Sequence, residues 1–140
     1  MDEQAPPVRR AFYTLGNYLL AKEMVFSPSQ YYICDRFWPS THAYGAAERE
    51  ETPATSTLPH DMPRPTRLFF FLLHLPEEAR MERMRTREKI TEEEGQLERD
   101  RVKRDLILEH YRSFEGMTEI DASLPTKEIV RLIRKAINLN

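Results

Sequence analysis

Leu68-Phe69-Phe70-Phe71-Leu72-Leu73, residues 68–73, is the stretch that decides the fold class. It is apolar at every position. An antiparallel surface strand would alternate, whereas a parallel strand covered on both faces reads as a continuous apolar run. It is also the longest apolar run in the chain, well short of the roughly 20 residues that a membrane-spanning helix needs. Downstream, Pro76-Glu77-Glu78 opens a helix with acids in the first turn, where they complement the helix dipole. The later part of that helix is basic: Arg80, Arg83, Arg85, Arg87 and Lys89. Thr91 and Glu94 have capping-box spacing for a further helix, running to about Phe114. Gly116 is a break, and Met117 to Ile120 reads as a second strand, ended by Asp121-Ala122-Ser123. Pro125 starts a last helix with an apolar stripe at Ile129, Leu132, Ile133, Ala136 and Ile137.

Upstream, residues 49–67 hold four prolines, four threonines and a serine and read as a surface loop. Before them, Thr41 to Glu48 reads as a helix with Ser40 as its N-cap. Tyr31-Tyr32-Ile33-Cys34 is a short β-prone run that stops at Asp35-Arg36. From Val8, apolar positions at Ala11, Phe12, Leu15, Leu19, Leu20 and Met24 follow helical spacing. Ser27-Pro28-Ser29 ends that helix, because a residue before proline leaves the α region. Residues 1–7 form a polar lead-in. Strands alternating with helices imply an α/β fold with a parallel sheet. Ligands of such folds bind beyond the carboxyl ends of the strands, which singles out Asp35-Arg36, the loop after Leu75 and Asp121-Ala122-Ser123.

The composition narrows the function classes. The chain has 140 residues, enough for one ordinary domain. Apolar residues make up 40% and charged residues 31%, with a mean hydropathy of −0.65, as in a soluble protein. The 21 basic and 23 acidic residues give a net charge of −2, which argues against nucleic acid as a partner but leaves room for a local phosphate pocket. A single cysteine excludes an internal disulfide framework and a Cys-rich zinc site. The start, MDEQAPPVRR, has no apolar segment and two early acids, so it reads as neither a signal nor a transit peptide. The four histidines show no metal-ligand spacing, and there is no G-x-S-x-G nucleophile elbow.

Three constellations carry chemistry. At Asp35-Arg36, a planar guanidinium just past a strand suits bidentate phosphate binding, and equally a surface ion pair. The basic run from Arg80 to Lys89 suits either a ligand or a solvated helix face balanced by Glu77, Glu78 and Glu82. Asp121-Ala122-Ser123 suits either a ligand-binding strand end or a cap for the helix that follows.

The segment Asp35-Arg36-Phe37-Trp38-Pro39-Ser40-Thr41-His42-Ala43-Tyr44 resembles the D-R-(Y/F)-x-x-S segment of thymidylate kinase-like nucleoside monophosphate kinases. Upstream, Arg10-Ala11-Phe12-Tyr13-Thr14-Leu15-Gly16-Asn17-Tyr18 looks like the helix that contacts base and phosphate in those enzymes. Downstream, Ile120-Asp121-Ala122-Ser123 is similar to their (V/I)-D-A-S strand end. The segments fall in family order, and the mitochondrial branch acting on UMP and CMP is the most similar. The resemblance makes residues 8–140 a partial thymidylate kinase-like domain. It implies ATP as phosphoryl donor with Mg²⁺, a pyrimidine nucleoside monophosphate as acceptor, no membrane partner, and room for a homodimer. It implies that Arg36 holds the acceptor phosphate while Tyr13 and Tyr44 sandwich the base. Asn17, Ser40 and Thr41 would contact the acceptor nucleotide, Ser40 and Thr41 near its base. It places a lid over residues 80–91, with Arg83, Arg85 and Arg87 as the arginines that stabilise charge on the transferring phosphoryl group. Asp121, Ala122 and Ser123 would lie near the donor adenine.

The departures from the family are equally definite. The 140 residues contain no G-x-x-x-x-G-K-[ST], and Gly16, Gly45, Gly95 and Gly116 are too dispersed to cradle phosphates. The expected architecture is therefore a P-loop-kinase-like α/β fold truncated at its N-terminus, lacking the strand that carries the P-loop. That strand would lie between the strands matched by 31–34 and 68–73. The polypeptide as given is expected to be an inactive or truncated form, or a non-catalytic remnant that binds nucleotide. The location implied is mitochondrial by resemblance, and cytoplasmic if these residues are the whole product.

Overall fold

A computed structural model describes residues 6–27, 31–87, 95 and 100–138. In chain order the elements are α1 Pro6–Phe26, α2 Trp38–Glu48, β1 Phe70–His74, α3 Glu77–Arg85, α4 Arg101–Arg112, β2 Met117–Asp121 and α5 Thr126–Ala136. The chain divides into two compact units. One comprises Met1–Leu68 with Leu106–Glu115, the other Phe69–Asp105 with Gly116–Asn140, so α4 contributes to both.

The first unit is built on an antiparallel helix pair. Arg10 and then Asn17 on α1 meet Glu48 and then Thr41 on α2, at 2.5 and 2.7 Å. Going up one helix therefore matches going down the other, two turns apart on each. Small side chains permit the close approach. Ala43, Gly45, Ala46 and Ala47 of α2 are buried, as is Ala21 of α1. A Cβ on Gly45 would come within 3.3 Å of the Arg10 and Arg49 side chains. The helix predicted from Val8 is present, but a different face is covered. Asn17, Ala21 and Met24 are buried, whereas Val8, Phe12, Leu15 and Leu19 are exposed. Spacing fixes that a helix forms; residue size fixes which face a neighbouring helix can reach.

Two readings are corrected here. Helix α2 begins at Trp38, not Thr41, with Phe37 in the extended N-cap position and no side-chain cap bond. Pro39 sits in its first turn, where a missing N–H is harmless, and this carries the start past Ser40. The β-prone run Tyr31–Cys34 is not in a strand: Tyr31 is 85% and Ile33 100% exposed. A strand needs a paired neighbour, and none lies beside it among the described residues.

The Pro-rich segment is fastened down rather than simply laid over the surface. Leu58 and Met62 are buried. Ser56 bridges to Phe114, its amide donating to the Ser113 carbonyl at 3.2 Å and its carbonyl accepting from Glu115 at 2.7 Å. The Tyr18 hydroxyl donates to Asp61 at 2.7 Å, and Arg64 donates to the Leu58 carbonyl at 3.0 Å.

In the second unit β1 and β2 pair in parallel, Phe70 opposite Met117 through His74 opposite Asp121. The Ala122 amide extends the ladder to the His74 carbonyl at 2.8 Å. Gly116, with φ +78, supplies the left-handed turn into β2 that a side chain would resist. Helix α5 packs against β2, with Ile129, Leu132 and Ile133 partly covered. The first strand starts two residues later than Leu68, and Leu73 is 53% exposed. Two strands cannot enclose both faces of a sheet, so the double covering expected of this run is incomplete among the described residues. Helix α3 stops at Arg85, and the Thr91–Glu94 capping box lies outside the described residues. The mixed α/β architecture with a parallel sheet is that expected of a P-loop-kinase-like fold.

Candidate functional site

The first unit gathers most of the residues singled out upstream. Arg36, just after Tyr31–Cys34, has a left-handed backbone conformation, φ 63, which is uncommon for a residue with a side chain. Its guanidinium carbon lies 5.6 Å from the centre of the Tyr44 ring, a cation–π distance. Tyr44 is on α2, one turn beyond Ser40 and Thr41. The buried Asn17 amide donates to the Thr41 hydroxyl at 2.7 Å. Ser40 receives a hydrogen bond from the hydroxyl of Tyr111 on α4, also at 2.7 Å. Tyr13 stands one turn before Asn17, on the same side of α1. It is half exposed and meets Phe12 edge-on at 5.7 Å.

Electrostatics bind this group together. Burial pushes the Tyr111 phenol above its ordinary value, opposed by the Ser40 hydrogen bond and the Arg36 guanidinium, with the Asp35 carboxylate acting in the same direction as burial. A desolvated phenol, two aliphatic hydroxyls, an amide, an aromatic ring and a guanidinium thus belong to one frame of helices. Such a set can grip an anion, stack a ring and donate hydrogen bonds to a polar edge.

Sequence reasoning missed Tyr111. Its partner is 71 positions away in the chain, and nothing in its own neighbourhood marks it. A second missed contact adjoins it. His42 meets His110 at 5.9 Å between ring centres, and Phe114 at 6.4 Å. His110 is buried, with Nε2 3.0 Å from the Glu51 carbonyl and no partner at Nδ1.

In the second unit, Arg83 on α3 donates to the Ala122 carbonyl at 3.0 Å. The basic segment and the strand end are therefore in direct contact. Asp121 accepts from the Ser123 amide at 2.8 Å and from its hydroxyl at 2.6 Å, which holds the carboxyl below its usual range. This local turn does not cap α5, whose N-cap is Pro125 without a side-chain bond. Arg85 is 73% exposed and pairs with Glu82 at 3.6 Å, the solvated-face arrangement. Arg87 is exposed just past the end of α3, its amide bonded to the Met84 carbonyl. Among the described residues no cluster of three His, Cys, Asp or Glu could hold a metal, and no helix is long and apolar enough to cross a membrane.

Comparison with known proteins identifies the lineage. The family model described as Thymidylate kinase matches residues 20–133. No curated protein and no solved structure matches the chain. Tyr13 and Asn17 precede the matched stretch; Arg36, Ser40, Thr41, Tyr44, Arg83 and Asp121–Ser123 lie within it. That stretch takes in most of the chain, including both strands, so the chain belongs to the thymidylate kinase family and is nucleoside monophosphate kinase-like at that level.

Proposed function

We propose that the first unit is an acceptor site for a pyrimidine nucleoside monophosphate, of the UMP- and CMP-using kind. In this reading Arg36 takes the phosphate through its planar fork, and Tyr44 supports the guanidinium from one side. Tyr13 offers a face for the base, a contact of about 1–3 kcal/mol in stacking sites. Asn17, Ser40 and Thr41 meet the polar parts of the nucleotide. The observation that carries the reading is the Arg36–Tyr44 contact, set one helical turn from two hydroxyls already held by other side chains.

Phosphoryl transfer also requires donor phosphates held in place, which the wider family does with a P-loop and Mg²⁺. The residues here do not fit that group. The 140 residues contain no G-x-x-x-x-G-K-[ST] to cradle those phosphates. Arg83 is already bonded to the Ala122 carbonyl, beside Asp121 and Ser123, in the region proposed to lie near a donor base. Arg85, paired with Glu82, and Arg87 are the other two arginines of this segment that the resemblance assigns to a transferring phosphoryl group. The function best supported for this polypeptide is therefore nucleotide binding without turnover.

Calorimetric titration with UMP, CMP and dTMP tests this, using wild type and Arg36→Ala. Binding that drops at least tenfold in the variant is the expected result. Equal binding by both removes Arg36 from the phosphate. A parallel assay with ATP and Mg²⁺ is expected to yield no diphosphate; appreciable product overturns the non-catalytic assignment.

A further inference from the structure

We infer that Tyr111 is a positioning residue of this acceptor site, turning the Ser40 hydroxyl into a committed hydrogen-bond donor toward the nucleotide. The inference rests on the acceptor-site reading above, and concerns how one of its hydroxyls is oriented.

A serine hydroxyl has one proton and two lone pairs, and rotates freely unless a neighbour fixes it. Of the two hydroxyls in the Tyr111–Ser40 pair, the phenol is the stronger acid and so the better donor. It donates to Ser40 Oγ at 2.7 Å. One Ser40 lone pair is then filled from α4, and the proton of Ser40 must point elsewhere. Tyr111 is partly withdrawn from water and reaches Ser40 from α4, a different element from the α2 that carries Ser40, Thr41 and Tyr44. Thr41 is prepared in the same way from the opposite helix, since it accepts from Asn17 Nδ2. Adjacent hydroxyls on α2 are thus each supplied with a proton, one by α4 and one by α1. The Ser40 proton is thereby left to meet an acceptor on the ligand, such as a carbonyl or phosphate oxygen.

The test is a cycle of four proteins: wild type, Tyr111→Phe, Ser40→Ala and the double variant, each titrated with UMP. Tyr111→Phe keeps the ring and removes only the donor. It is expected to weaken UMP binding about fivefold, the scale of one hydrogen bond. In the Ser40→Ala background the same change is expected to have no effect, because Tyr111 acts only through that oxygen. A merely structural role would weaken binding equally in both backgrounds, and that result overturns the inference. So does unchanged binding by Tyr111→Phe. If Tyr111→Phe alone misfolds, Ser40→Ala against the double variant still decides the matter: a further loss in the double variant contradicts the inference, and equal binding supports it. Failure of wild type to bind UMP, CMP or dTMP would instead remove the acceptor site itself, so the two failures are distinct.

Discussion

Arg36 faces the ring of Tyr44 at 5.6 Å while its own backbone is held at φ 63. A residue with a Cβ pays about 1–2 kcal/mol for that conformation, and glycine does not. Strain of this kind persists where the surroundings over-determine it, which is common at ligand sites. Arg36→Gly is therefore expected to unfold at higher denaturant than Arg36→Ala, by about 1 kcal/mol. Both should lose nucleotide binding. Equal stability of the two variants in urea unfolding would show that the conformation carries no strain.

The Asn17–Thr41 bond crosses the antiparallel helix pair with Asn17 buried. Asn17→Ala leaves the Thr41 oxygen without its donor and opens space between the helices, at a cost of about 1–3 kcal/mol. Thr41→Val combined with Asn17→Ala should recover part of that loss, since no orphaned hydroxyl remains. Additive losses in the double variant would mean that the bond contributes nothing.

Acid should weaken the first unit through His42. Burial lowers its pKa below the usual 6.5, and the neighbouring His110 and Arg49 act in the same direction, opposed by Glu51. The folded state therefore binds fewer protons than the unfolded state in the window just below 6.5. Stability is full above that value and declines as pH falls from it toward the lowered folded value. Thermal unfolding between pH 8 and 5 should show a falling midpoint for wild type and a flatter profile for His42→Gln. A wild-type midpoint that rises on acidification contradicts the assignment.

Glu77 is the corresponding reporter in the second unit. Arg80 hydrogen-bonds its carboxylate and Arg104 lies at 3.1 Å, and together they hold its pKa at about 2. Its contribution is present above the unfolded value of 4.5 and is lost as pH falls from there to about 2. Both partners reach solvent, so Glu77→Gln should change stability by less than about 1 kcal/mol. Carboxyl NMR should find a midpoint near 2 at low salt, moving upward in 1 M salt. A midpoint at the ordinary value would remove the ion network.

The legible parts of the sequence were those governed by local chemistry. Gly116, Asp121 and Pro125 punctuate β2 and α5, and the structure follows them within a residue. Asp35-Arg36 stood out as a charged pair ending a β-prone run, whereas Ser40, Thr41 and Tyr44 were marked only by likeness to the D-R-(Y/F)-x-x-S segment of the family. What stayed hidden depends on distant partners. Tyr31–Cys34 has strand propensity but no neighbour to pair with. Leu58 and Met62 are buried inside a Pro-rich stretch that reads as surface. Val8, Phe12, Leu15 and Leu19 have helical spacing yet face outward, because the small residues of α2 select the other side of α1. Tyr111 enters the site through one bond to Ser40 and through nothing in its own sequence context.

The pairing of β1 with β2 alone among the described strands has a practical consequence for handling the protein. On this short sheet Leu73 is 53% exposed, and its hydrocarbon can meet a like surface on another molecule. Concentrated stocks should cloud with time, and dilute, chilled ones should keep. A lysine at position 73 ought to lengthen shelf life while leaving Arg36, Ser40 and Tyr111 untouched.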